Sequence, residues 1–127
     1  MIKGSFDISN KTKGKLPRLP FVVMKNKILG EDYELSVVCV SKKESQRLNK
    51  QWRDKDYPTN ILSFPLTESS GEIVLQLDIV KRDAPNFDMN YTNFLKFLVI
   101  HGCLHLKGFE HGSTMEKEEK KYLKIFL

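Results

Sequence analysis

Three histidines fall within the eleven residues HGCLHLKGFEH at positions 101 to 111, and the chain has no others. In a helix, His101 and His105 project from the same face, because residues four apart lie one above the other. Gly108 is placed to end that helix and reverse the chain, which would return His111 toward the pair. Three neutral imidazoles with an open fourth position are typical of a catalytic zinc site. The spacing therefore predicts a metal site, with zinc as the expected ion.

The residue after the first histidine is Gly102, where zinc peptidases of the pattern H-E-x-x-H-x-x-G-x-x-H carry a glutamate that accepts a proton from water. No acidic residue occurs between positions 92 and 108. Glu110 has three open interpretations: a general base, a partner that orients a histidine, or a surface acid. The glycine is expected to leave space beside the metal for a large substrate. A phosphodiester fits, because it needs charge neutralisation more than a strong base.

The net charge of +5 is concentrated in residues 1–30, where seven basic residues stand against Asp7 alone, giving +6 there and −1 in the rest. A one-sided basic segment is suited to a polyanion such as nucleic acid, although a solvated lysine-rich face is the alternative. The sequence contains no run of eighteen apolar residues and no visible secretory signal, so no membrane contact is expected. Cys39 and Cys103 lie in apolar runs and predict buried thiols in a reducing cytoplasm.

The elements that must position the histidines follow from patterning, and one domain over residues 1–127 is expected. Helices are predicted after Pro20, from Ser41 (whose S-x-x-E motif with Glu44 is a capping box), over 91–108 and in the C-terminal tail. Leu48 and Trp52 are expected to anchor the second of these helices. Strands are predicted over 1–10, 35–41, 59–66 and 71–80, with Pro65 at a sheet edge or bulge. This order indicates an α+β fold with a mixed sheet. The tail helix is expected to bury Met115, Tyr122, Leu123 and Phe126.

The histidine segment resembles the signature H-G-x-L-H-L-x-G-[YF]-[DE]-H of the YbeY family of metal-dependent endoribonucleases. TNILSFPL at 59–66 resembles the family segment T-D-V-L-S-F-P, and GEIVLQ at 71–76 resembles its G-D-I-x-I strand. LNKQWRDKD is similar to the family helix that carries N-x3-R, here Asn49 and Arg53. These blocks cover roughly residues 35–111 in the family order. The histidine signature is highly specific, whereas the other blocks are individually weak.

The resemblance implies an α+β fold, with a small mixed sheet packed with helices and a zincin-like metal helix. It implies a single-strand-specific endoribonuclease that matures ribosomal RNA, including the 3′ end of 16S ribosomal RNA, during ribosome biogenesis. One Zn²⁺ per chain is expected on His101, His105 and His111, with Arg53 as the catalytic residue that clamps the phosphate. The sequence pattern alone favours Arg53 as a surface residue of the helix, paired with Asp54 or Asp56.

Ser63, Glu110 and Asn60 are further pocket candidates, and two of these three positions depart from the family pattern. Asn60 replaces an aspartate and keeps hydrogen bonding without charge, and Glu110 replaces the commoner aspartate. RNA and ribosomal subunit precursors are the expected partners, with ribosomal-protein and GTPase partners left open. The nucleophile is either metal-bound water or the 2′-hydroxyl of the RNA. The alternatives are a small zinc peptidase or other metal-dependent hydrolase, and a non-catalytic ribosome-assembly factor with a structural metal.

Overall fold

The computed structural model describes residues 4–127, so the predicted beginning of the first strand at residues 1–3 lies outside the described residues. The elements in chain order are β1 Phe6–Asn10, α1 Phe21–Leu29, β2 Glu34–Cys39, α2 Lys42–Arg53, β3 Ile61–Thr67, β4 Ser70–Leu75, α3 Leu77–Asp83, a 3₁₀ turn Ala84–Phe87, α4 Tyr91–Lys107 and α5 Ser113–Phe126. The helix predicted after Pro20 is confirmed as α1, and the long helix predicted over 91–108 is confirmed as α4.

The four strands form one mixed sheet in the order β1-β2-β4-β3. β1 and β2 run parallel, as do β2 and β4, whereas β3 pairs antiparallel with β4 at the sheet edge. Pro65 lies on this edge strand, and the register shifts between Pro65 and Thr67. A proline is tolerated there because an edge strand leaves alternate backbone amides unpaired. The predicted α+β class, mixed sheet and edge position of Pro65 are confirmed.

The main core lies between one face of the sheet and α4. Alternate residues of β2 and β4 point into it, as the period of two in a strand requires; they are Leu35, Val37, Cys39, Ile73 and Leu75. α4 is apolar around most of its circumference and is flanked by α1 and α5. A smaller cluster covers the opposite face of the sheet, where Val40, Leu62 and Val74 pack with Leu48 of α2.

The strand predicted over residues 71–80 is wrong in its second half, because the chain turns at Gln76 and forms α3. The Gln76 side-chain oxygen accepts from the backbone N–H of Ile79 at 2.9 Å, which caps the helix. Its amide nitrogen donates to the Val40 carbonyl at 3.1 Å and fixes the turn to the sheet. Leu77 and Val80 then bury one face at helical spacing. A continuous apolar run cannot by periodicity alone separate a buried strand from a short buried helix.

The capping box at the start of α2 is confirmed, since the Ser41 hydroxyl accepts from the Glu44 N–H at 3.1 Å. The predicted apolar anchor is wrong for Trp52, which is 62% exposed. α2 is instead fixed by two buried polar residues. Ser45 exchanges hydrogen bonds with the backbone of Thr59, and Asn49 donates to the Tyr57 carbonyl at 2.8 Å. These bonds attach the loop after α2 to the helix itself.

The C-terminal helix α5 buries Met115 and Tyr122 fully and Leu123 and Phe126 in part, as its pattern predicts. Cys39 and Cys103 are free thiols with no exposed surface, which confirms the prediction of buried thiols. Within residues 4–127, no helix has the combined length and apolar character that crossing a membrane requires.

Candidate metal centre and its cleft

Helix α4 carries two of the three histidines, and its ends are fixed by local sequence. The Asn90 side chain accepts from the Asn93 N–H at 2.8 Å and caps the first turn. Gly108 ends the helix with a φ of 110°, a left-handed conformation in which glycine has no steric penalty. The chain therefore reverses directly after Lys107, and this reversal carries His111 back to the helix.

The structure brings the three histidines together as the spacing predicts. His101 and His105 have ring centroids 4.5 Å apart, and the His111 ring lies 5.1 Å from the first and 4.7 Å from the second. One nitrogen from each ring falls within a group whose members are all within 4.8 Å of one another. The Nε2 atoms of His101 and His105 are 3.0 Å apart. Two nitrogens bound to one tetrahedral zinc are separated by about 3.3 Å, so the cluster matches the size of such a site.

The outer nitrogens of the same two rings have partners that fix their orientation. His105 Nδ1 donates to the Phe109 carbonyl at 3.0 Å, which leaves its Nε2 as a bare lone pair. His101 Nδ1 lies 3.4 Å from Glu119 Oε2 on α5, and an ionised Glu119 accepts the Nδ1 proton. Both Nε2 lone pairs then point at each other, an arrangement that a cation between them satisfies. Carbonyl and carboxylate partners of this kind are typical of metal-bound histidines.

Burial favours the neutral, metal-binding form of His101 and His105. Burial and, to a smaller extent, the neighbouring His105 and His111 together lower the pKa of His101 from 6.5 to about 4. Burial also lowers the pKa of His105, and the positive charge of Arg53 contributes to that shift. Burial raises the pKa of the Glu119 carboxyl, with a further rise from Glu116 and an opposing effect from His111.

Gly102 does not leave open space beside the metal site, so that expectation is wrong. It is fully buried on the face of α4 that meets the sheet. A Cβ at this position would lie 2.9 Å from Ser63 Oγ and 3.1 Å from the terminal carbons of Ile61 and Ile73. The glycine therefore allows α4 to approach β3 and β4 closely, and there is no room here for the glutamate of a zinc peptidase.

A cleft of about 980 Å³ opens over the histidines between the end of α2, strand β3 and helix α5. Apolar and aromatic side chains form most of its wall, with Arg53 and Lys120 as its basic residues and Glu116 and Glu119 as its acids. Its volume is near the upper end of the range of roughly 300–1,000 Å³ that is typical of ligand pockets. The three histidines thus line a cleft of the size that ligand pockets have.

Arg53 is the last residue of α2 and lines the cleft. Its charge is close enough to His105 to lower the pKa of that ring. The surface pairing considered from sequence is not found: Asp56 instead accepts from Gln46 at 2.9 Å and lies 3.7 Å from Lys50. Among residues 4–127, Arg53 makes no ion pair, so its guanidinium is available to a substrate.

The remaining sequence candidates have separate locations. Ser63 and Asn60 both line the cleft. The Asn60 amide nitrogen donates to Asp83 Oδ2 at 3.0 Å, which ties the wall of the cleft to α3. Glu110 is exposed and stands outside the cleft lining. The acid that the fold brings to the histidines is Glu119, which sequence reasoning missed because it lies in a lysine- and glutamate-rich segment that resembles a solvated face.

The basic N-terminal segment is not part of the cleft wall over its described residues 4–30. Lys25 is only 2% exposed, and its ammonium donates to the carbonyls of Gly30 and Glu31 at 3.3 and 3.0 Å. This lysine satisfies backbone carbonyls after α1, and its side chain is buried. The positive charge beside the metal site is therefore supplied by Arg53 and Lys120.

Comparison with known protein families matches residues 6–126 to the family described as Endoribonuclease YbeY. Curated relatives named Endoribonuclease YbeY include that of Colwellia psychrerythraea, 40% identical over 102 residues that cover 75% of this chain and 66% of the relative. That of Zymomonas mobilis is 36% identical over 118 residues, with coverage of 76% and 67%. The chain thus spans about two thirds of the length of these relatives.

A solved structure has the same fold. The solution structure of TM1509 from Thermotoga maritima superposes with a TM-score of 0.66 and 31% sequence identity. The match covers 94% of this chain and 87% of that protein. The arrangement of sheet and helices is therefore shared with that protein over most of both chains.

Proposed function

The chain belongs to the endoribonuclease YbeY family, and on that premise we propose that it is a metal-dependent endoribonuclease that cuts single-stranded RNA. The observation that carries the proposal is that His101, His105 and His111 converge in a cleft that Arg53 also lines. Three nitrogen ligands and an adjacent guanidinium suit a substrate that is negatively charged at the bond to be broken.

The three histidines are the proposed ligands, and zinc is the proposed ion because neutral imidazole is among its preferred ligands. When bound, such an ion polarises a phosphoryl oxygen and lowers the pKa of water. Glu119 and the Phe109 carbonyl hold two of the rings in the orientation that directs Nε2 inward. This arrangement supports one metal ion per chain.

Arg53 is the proposed phosphate-binding residue. Its planar guanidinium offers paired N–H donors that match two phosphate oxygens, and its charge offsets the negative charge that develops during cleavage. Asn49 and Ser45 hold the adjoining loop through the backbone of Tyr57 and Thr59, so the end of α2 is fixed relative to β3. No acid on α4 is required by this scheme, and Glu119 is better placed than Glu110 to handle a proton near the histidines.

The proposed substrates are ribosomal RNA and ribosomal subunit precursors, including the 3′ end of 16S ribosomal RNA, and the proposed compartment is the cytoplasm. These assignments rest on family membership and on the named relatives rather than on the cleft itself. We also propose that residues 1–127 act as one domain. The basic segment at residues 4–30 would add sequence-independent backbone contacts that weaken with salt, although Lys25 is excluded from this role.

The proposal is tested by incubating zinc-loaded protein with ribosomal RNA fragments that carry single-stranded ends, with and without chelator, and mapping the products. We expect cleavage in single-stranded segments only, loss of cleavage with chelator, and recovery with added zinc. A 2′,3′-cyclic phosphate end would identify the 2′-hydroxyl of the RNA as the nucleophile. Full activity in protein that elemental analysis finds free of metal would overturn the metal-dependent mechanism.

A second test separates catalysis from a structural role for the metal. His111→Ala removes one proposed ligand, so it should abolish cleavage and weaken metal binding. Because His111 is exposed, the denaturation midpoint should stay close to that of the parent. Lys107→Ala, an exposed change outside the cleft, is the matched control. Collapse of folding in His111→Ala alone would favour the assembly-factor alternative with a structural metal.

A further inference from the structure

Trp52 is the only tryptophan in the chain, and 62% of it is exposed at the edge of the cleft. Tryptophan is on average a highly buried residue, because exposing its large ring to water is unfavourable. The helix that carries it is fixed by Ser45 and Asn49, which are almost fully buried. Trp52 therefore contributes little to the packing of this helix, and stability does not explain why it is exposed.

The indole is held in place although it is exposed. Its ring centroid lies 5.9 Å from that of Phe64 on β3, with the planes inclined at 65°. Phe64 is half-buried and packs on the smaller cluster of Val40, Leu62 and Val74, on the face of the sheet opposite α4. An edge-to-face contact of this kind restrains a ring while leaving most of its surface free for another planar group.

The position of Trp52 is coupled to that of the phosphate-binding residue. Arg53 is the next residue, and both line the cleft. The same hydrogen bonds from Asn49 and Ser45 fix the helix end on which both residues are carried. An aromatic surface and a guanidinium thus occupy neighbouring places on one rigid support, as the base and the phosphate do in one strand of nucleic acid.

We propose that Trp52 stacks on an unpaired base of the RNA next to the phosphate held by Arg53, forming a base subsite of the cleft. This inference rests on the proposed endoribonuclease function and deepens it. Stacking on aromatic side chains accepts any base, because every base has a π-face, and it requires that the base is not already stacked in a duplex. The subsite accordingly gives preference for single-stranded RNA without a sequence requirement.

The first experiment uses the fluorescence of Trp52, which no other tryptophan obscures. Zinc-loaded protein is mixed in a stopped-flow instrument with a short single-stranded oligoribonucleotide, and the initial change in emission is recorded. Stacking should quench the emission with the normal strand and leave it almost unchanged with an abasic strand of the same length and charge. Equal quenching by the two strands would overturn the proposal, because the response would then come from the backbone alone.

The second experiment compares Trp52→Ala and Trp52→Phe in cleavage of a single-stranded substrate. Trp52→Ala should raise KM by roughly 5- to 100-fold, with a smaller effect on kcat, and Trp52→Phe should recover most of the loss. Val23→Ala, an exposed apolar change on α1 outside the cleft, is the control and should behave as the parent. An unchanged KM in Trp52→Ala would overturn the base subsite.

The two proposals fail in distinguishable ways. If the parent cleaves RNA and Trp52→Ala cleaves it with the same KM, the endoribonuclease function stands and the subsite fails. If the parent does not cleave RNA but its emission is quenched only by strands that carry bases, the subsite stands and the nuclease function fails. Tight binding of a protein partner through Trp52, with no base-dependent quenching, would count against the subsite. Thermal melting should be nearly unchanged in all variants, since the ring is mostly exposed.

Discussion

Gly102 and Ser63 are in such close contact that a Cβ on the glycine would lie 2.9 Å from the serine Oγ. The contact joins helix α4 to the edge strand β3, and the same Cβ would lie 3.1 Å from the terminal carbons of Ile61 and Ile73. The absence of a glutamate after the first histidine is therefore a packing requirement. The close approach sets how far the histidines stand from the cleft wall that carries Ser63.

Gly102→Ala should destabilise the protein by about 1 kcal/mol. Overpacking in a core costs about 1–3 kcal/mol, and the higher helix propensity of alanine offsets about 1 kcal/mol of this. Gly102→Glu should cost more than about 3 kcal/mol, because a long charged side chain would enter the contact between helix and sheet. Chemical denaturation measures both changes.

Ser63→Ala provides the control for this prediction, since it removes the closest atom. Combined with Gly102→Ala, it should recover part of the lost stability. A Gly102→Glu variant that folds normally and gains peptidase activity would contradict the packing interpretation.

The sequence predicted that the three histidines come together because the determinants of that cluster are local. The spacing of His101 and His105 on one helix face and the turn at Gly108 require only helix geometry. The position of Glu119 was not predictable in this way, since it depends on how α5 docks against α4. The same limit applies to Gly102: its missing side chain indicates open space in the sequence, whereas the sheet occupies that space in the fold.

The incorrect predictions for the strand 71–80 and for the burial of Trp52 have similar physical causes. The apolar run 71–80 has β-branched residues on both sides of Gln76, and only the capping bonds of that glutamine reveal where the strand ends. Trp52 has an apolar side chain at helical spacing from Leu48, which predicts burial. The neighbouring polar residues Ser45 and Asn49 take the buried positions instead, because they satisfy the backbone of the loop that follows.

Glu119→Gln should weaken metal binding by about 10- to 100-fold, the usual effect of removing the carboxylate partner of a metal-bound histidine. The amide keeps the size of the side chain but loses the charge that accepts the Nδ1 proton of His101. Competition with a chromophoric chelator measures the change. Glu118→Gln, the adjacent change at a residue that lies 3.8 Å from Lys121, is the control. If Glu119→Gln and Glu118→Gln bind metal equally tightly, Glu119 does not orient His101.

Arg53→Ala should lower kcat/KM for RNA cleavage by about 100-fold without loss of metal, since the effect of removing a donor from a developing charge is typically of that size. Arg53→Lys should recover only part of the activity, because an ammonium cannot donate to two phosphate oxygens in a fixed fork. Arg47→Ala is the matched control, because that arginine is on the same helix but pairs with Glu44. Unchanged turnover in Arg53→Ala would reduce the residue to a surface charge.

The two cysteines should not react with thiol reagents in the folded protein. Burial raises the pKa of Cys39 to about 11 and that of Cys103 to about 12. At a pH of about 8, roughly one thiol in a thousand or fewer is therefore ionised, and the thiolate is the reactive form. Ellman's reagent should label two thiols per chain in denaturant and almost none without it. Rapid labelling of the native protein would indicate that the core opens readily.

Asn60 and Asp83 form a hydrogen-bonded pair, which predicts the effect of placing the family aspartate at position 60. The Asn60 amide donates to the Asp83 carboxylate at 3.0 Å, and the Asp83 side chain is only 18% exposed. Asn60→Asp places two carboxylates in contact, so it should cost about 1–2 kcal/mol of stability at neutral pH. The variant should regain stability at acidic pH, where one of the two carboxyls is protonated and donates to the other.

The double variant Asn60→Asp with Asp83→Asn reverses the donor and the acceptor and should restore most of the lost stability. Asp83→Asn alone is the third corner of this double-mutant cycle, and denaturant unfolding at neutral and acidic pH measures all four proteins. If the single and double variants are equally unstable, the two residues act independently. Recovery in the double variant would mean that the asparagine at position 60 is matched to Asp83, and that a carboxylate there requires a compensating change on α3.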